Sequence, residues 1–177
     1  MKKILKLEIW GMVFISLFGS LLHFTFNWAN RFWVVGAFSA VNESTWEHLK
    51  LAVIPAVLWA VLEKFGFKVN CPNFWFAKAK SIWLMPILII VFFYGYKTIL
   101  GTHNLILDIS IFILSVIMGQ IVSYKIMSGS GSFGKFSGLS VFFIILLPVL
   151  FFVFTFYPPH NFLFLDPVFG GYGWGGF

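Results

Sequence analysis

Five apolar stretches, each long enough to cross a bilayer, dominate this chain: Leu7–Phe26, Trp46–Leu62, Ser81–Leu100, Leu105–Tyr124 and Leu139–Phe156. Crossing ~30 Å of hydrocarbon as a helix takes roughly 17 to 25 apolar residues. Only helices and closed barrels satisfy their backbone polar groups in lipid. The expected fold is therefore all-α: a polytopic membrane bundle of about five helices forming one domain over residues 1–177, with 157–177 as an outer tail. Composition supports this. Of the 177 residues 60% are hydrophobic and only 10% charged, against roughly 25% charged in soluble domains. A soluble enzyme is excluded, and 25 Phe with 8 Trp exclude disorder.

Charge sets the expected orientation. Lys2, Lys3, Lys6, Lys64, Lys68, Lys78, Lys80, Lys125 and Lys135 fall on one side of a five-span arrangement, and Arg31, Lys50 and Lys97 on the other. The positive-inside rule puts the N-terminus in the cytoplasm and the C-terminus outside. The net charge of +6 is thus read as topology, not as a nucleic-acid surface, and no nucleic-acid partner is expected. The second span is the weakest, being short and carrying Pro55. Phe32–Val41 is too short to span and reads as an interfacial or re-entrant segment. The Gly/Ser-rich stretch Ser128–Phe136 reads as a flexible inner loop, and Phe169–Phe177 as a mobile tail. Cys71 stands alone, which excludes an internal disulfide and a cysteine metal cluster.

With these spans, all four histidines and four of the six acids collect on the outer side; Glu8 and Glu63 fall inside. Ionisable groups near membrane depth face a protein interior or a water cavity. His23, Asn42, Glu43, Glu47, His48, His103, Asn104, Asp108, His160 and Asp166 are therefore candidates for one outward-facing polar cluster. His48, His103, Asp108 and His160 have the chemistry of divalent-metal ligands, zinc being the natural ion. Glu43 is the candidate general base, with Glu47 as a second catalytic carboxylate. No HExxH-type signature backs the assignment.

Plainer roles compete at each position. Ser44 and Glu47 have capping-box spacing, and Asn42 suits an Asx turn. Asp108 has Lys97 as a potential partner, Asn104 suits a helix cap, and His160 suits a brace for the tail after Pro158–Pro159. Gly129-x-x-x-x-Gly134-Lys135 resembles a phosphate loop but continues with Phe136 and lacks a βαβ setting.

Two stretches carry a family resemblance. One runs from His23-Phe24-Thr25-Phe26 to the sequence VNESTWEHLK at Val41–Lys50. The other runs from Phe156-Tyr157-Pro158-Pro159-His160 through Asp166-Pro167 to Tyr172-Gly173. Together they resemble a family of small bacterial polytopic membrane proteins of unknown function, common in Gram-positive anaerobes. This chain departs from the family pattern at Ala40, where the family has Pro, and in its ending, Trp174–Phe177. The resemblance implies a multi-pass protein of the bacterial cytoplasmic membrane and supplies no activity.

Four functions fit these observations. The outer cluster holds a metal that activates water against a lipid or lipid-linked substrate. It belongs to a proton or ion transport component, which five spans without a repeat would build as a homo-oligomer or with a membrane partner. It is the cap of a non-catalytic module that docks a partner. Or His23 and His48 are axial haem ligands.

Overall fold

The computed structural model describes residues 1–175 and contains six α-helices among them. They are α1 (Lys2–Trp28), α2 (Trp33–Gly36), α3 (Thr45–Val61), α4 (Phe74–Leu100), α5 (Leu105–Ser128) and α6 (Ser137–Phe156). Among the described residues, four segments are long and apolar enough to cross a membrane: α1, α4, α5 and Gly134–Phe156, which contains α6.

The remaining long helix, α3, has 17 residues, about 26 Å at 1.5 Å per residue. A five-residue π-helical turn, Leu62–Gly66, prolongs it. α3 is the most enclosed helix: Leu49 to Ala56 are buried without a break. It packs against α1, α4 and α6. That burial explains its sequence. A helix walled by protein does not need a lipid-facing apolar surface, so it can carry Glu47, His48, Lys50 and Pro55. α1 and α3 run antiparallel at close range. A Cβ on Gly19 would lie 2.2 Å from the Leu51 carbonyl oxygen, so only glycine fits there.

Three loop regions pack in a defined way. Phe32–Val41 is one helical turn followed by a packed loop, in which Ala37, Ser39, Ala40 and Val41 are buried. The Ser39 hydroxyl bonds the Leu22 carbonyl and accepts from Phe26 N–H. The glycine-rich inner loop is pinned rather than free: Asn73 donates to Gly131 O (2.5 Å) and accepts from Phe133 N–H (2.8 Å). Phe133 also stacks on Phe76. The C-terminal tail folds back onto the helix ends as far as it is described; Gly176 and Phe177 lie outside the described residues. Leu165 and Tyr172 form an antiparallel bridge. Gly173, at φ +61°, is buried where a Cβ would meet Thr155 O at 2.5 Å.

Candidate metal centre

The antiparallel pairing of α1 and α3 brings the end of one helix to the start of the other, and there three side chains meet. His23 Nε2 lies 4.0 Å from Glu43 Oε2, and His48 Nε2 lies 3.4 Å from the same oxygen. The imidazole rings stand edge to face with centroids 5.0 Å apart. One ligand atom from each residue lies within 4.8 Å of the other two. A tetrahedral ion with ligand bonds of about 2.0–2.1 Å has ligand atoms roughly 3.4 Å apart, so small side-chain movements would close the set.

Local structure prepares each member. His48 Nδ1 lies 2.9 Å from the Ser44 carbonyl. That contact places a proton on Nδ1, so Nε2, facing Glu43, is the nitrogen that donates to the carboxylate when protonated and ligates a metal when not. Glu43 sits in the turn before α3, more than a third exposed. The hydrogen bond from His48 holds its carboxyl below the usual range; burial opposes this, and the charges of His48 and His23 add to it. His23 stacks on Phe24.

The turn carrying Glu43 is held by the tail. Asp166, buried, accepts from Glu43 N–H (3.4 Å), Val168 N–H (2.8 Å) and Phe169 N–H (3.3 Å). Asn42 donates to Gly173 O and closes its own Asx turn on Ser44 N–H. Trp46 N–H reaches Leu163 O. Asn42 and Asp166 thus shape the site from behind.

Glu47 takes a different place from the one expected of a catalytic carboxylate. It is 1% exposed and faces the interior. It pairs with Lys50 (2.6 Å) and accepts from Val41 N–H and the Thr155 hydroxyl. The capping box is half formed: Ser44 Oγ accepts from Glu47 N–H, but the Glu47 carboxylate passes Ser44 and reaches Val41. Lys50, fully buried, also donates to Gly36 O (2.8 Å) and Thr155 Oγ1 (2.5 Å). The charge pattern along the chain reads Lys50 as a topology signal, whereas it is a buried core charge. Its i,i+3 spacing from Glu47 was the available clue to a core charge.

The remaining candidates do not join the trio. His103 and Asp108 pair with each other at 3.5 Å, and Asp108 accepts from the Tyr96 hydroxyl. Lys97, the partner considered for Asp108, lies over the Phe93 ring. Asn104 caps α5, accepting from Ile106 and Leu107 N–H. His160 is exposed and stacks on Tyr172. The haem reading fails on geometry: axial ligands stand on opposite faces of a macrocycle, and two rings 5.0 Å apart leave no room for one.

Residues 1–174 match a family of unknown function, DUF6512. The chain belongs to the DUF6512 family. No curated protein and no solved structure matches this DUF6512 chain.

Proposed function

We propose that this DUF6512 protein is a membrane metalloprotein that holds a divalent ion, zinc by ligand type, on His23, Glu43 and His48. The carrying observation is the approach of both imidazole Nε2 atoms to one carboxylate oxygen, at 4.0 and 3.4 Å. Three protein ligands with one open position is the arrangement of catalytic zinc. The exposed side of Glu43 is where the open position would face. A bound ion there would polarise an ester or phosphoryl oxygen and acidify a water. The chain's own residues supply the rest. Ser44 O orients His48, and Asp166 with Asn42 fixes the turn. A site at a helix end, beside exposed Phe24 and Trp28, suits a lipid or lipid-linked substrate.

The proposed setting is the bacterial cytoplasmic membrane, with α3 as a fifth traverse, the N-terminus inside and the metal end outside. Lys50 and Lys78 are core charges rather than loop charges, and removing both from the count leaves the positive excess on the N-terminal side.

The test is metal analysis of detergent-purified protein, wild type beside His23→Ala and His48→Ala, with His103→Ala and His160→Ala as controls. About one equivalent of metal, lost in the first pair and kept in the second, is the expected result. Folded wild type that takes up no zinc when it is supplied would overturn the proposal.

A further inference from the structure

At the opposite end of the bundle lies a second buried charged group, independent of the metal centre. Glu8 is on α1, Glu63 on the π turn and Lys78 on α4; they are 1%, 1% and 2% exposed. Glu8 and His23 are fifteen positions apart on α1, about 22 Å at 1.5 Å per residue.

Lys78 Nζ is 2.7 Å from Glu8 Oε1 and in direct contact with Glu63 Oε2. Ser123 of α5 donates to Glu8 Oε1 (2.8 Å). One ammonium thus serves two carboxylates. Three further observations show the group incomplete as it stands. Glu8 Oε2 is buried without a hydrogen bond, and Glu63 Oε2 has only the ion pair. The Trp59 indole N–H, also buried, lies beside Glu63 without completing a hydrogen bond.

Among the described residues, no other element supplies the missing positive charge. α5 offers Ser123 and Gln120, both neutral, with Gln120 Nε2 3.5 Å from Glu8 O. α6 has no titratable side chain. Lys64 donates to Val69 O and lies over the Phe74 ring. Lys3 donates to Phe67 O. An uncompensated charge shut away from water is strongly unfavourable. Two carboxylates that share one ammonium resolve that cost by taking up a proton.

We propose that Glu8 and Glu63 hold one proton between them against Lys78, making this a buried proton-binding site. One added proton brings the group, two carboxylates and one ammonium, to neutrality.

The test is infrared difference spectroscopy of the full chain in lipid nanodiscs, titrated from neutral to alkaline pH in H2O and D2O. Wild type should show the C=O stretch of one protonated buried carboxyl, shifted in D2O and lost on alkalinisation. Glu8→Gln and Glu63→Gln should each abolish it, because the remaining carboxylate then pairs one to one with Lys78. Glu43→Gln, at the other end, should leave it unchanged. If either glutamine variant fails to fold, Lys78→Met serves: without the ammonium both acids should protonate and the band should about double. Folded wild type with no protonated carboxyl at neutral pH overturns the proposal. So does a band that survives both glutamine variants, or a site that sodium ions stabilise while no carboxyl band is present.

Discussion

His48 Nε2 stands 3.4 Å from Glu43 Oε2 while the Nδ1 of the same ring lies 2.9 Å from the Ser44 carbonyl. One imidazole therefore links a helix start to the turn before it, with the nitrogen facing Glu43 free for a proton or a metal. That dual capacity makes the site sensitive to pH.

Zinc binding should weaken as pH falls below neutral, because both imidazoles must be deprotonated to ligate. Calorimetric titration at stepwise pH checks this. Without metal, Glu43 should contribute to stability through its depressed carboxyl, held down chiefly by the hydrogen bond from His48. A lowered folded value gives a contribution complete above the ordinary 4.5 and lost as pH falls through the depressed value. The melting difference between wild type and Glu43→Gln should shrink over that acid range.

Asp166→Ala removes no ligand but frees the turn that carries Glu43. Zinc affinity should fall about 10–100-fold, the usual effect of losing an outer-shell partner. Zinc titration reads the affinity, and limited proteolysis should show the tail opening. An unchanged affinity would detach the tail from the metal centre.

Lys50→Ala leaves Glu47 buried without its ammonium and strips a donor from Gly36 O. Breaking such a pair costs about 3–5 kcal/mol. The double variant Lys50→Met with Glu47→Gln should recover much of that loss, since no charge is then stranded. Thermal melts of the three proteins form the comparison.

Gly19→Val should destabilise α1 against α3 by about 1–3 kcal/mol through overpacking at the Leu51 carbonyl. Gly95→Ala, with nothing within 4 Å, should be neutral or gain up to about 1 kcal/mol from helix propensity. Equal effects at the two sites would contradict the close approach of α1 and α3.

Membrane character and the apolar helices were legible because they depend on run length and local composition. Leu105–Tyr124 and Leu139–Phe156 fall inside the helices that form. The polar residues were legible only as a set. Glu43 and Glu47 are one helical turn apart in sequence, yet one reaches toward His48 and the other turns into the core. The local clue is Lys50, three residues after Glu47; the other partner, Thr155, is on α6 and far away in sequence. His103 and His160 have the same ligand chemistry as His23, but Asp108 and Tyr172 claim them.

The sequence by itself determined that the chain is helical and apolar, and where its long helices run, because hydrophobic length and backbone satisfaction act locally. Only the tertiary structure decided which charges are core and which could bind an ion. That choice depends on partners far apart in sequence, Glu8 with Lys78 and Glu43 with His23, meeting when α1 packs against its neighbours.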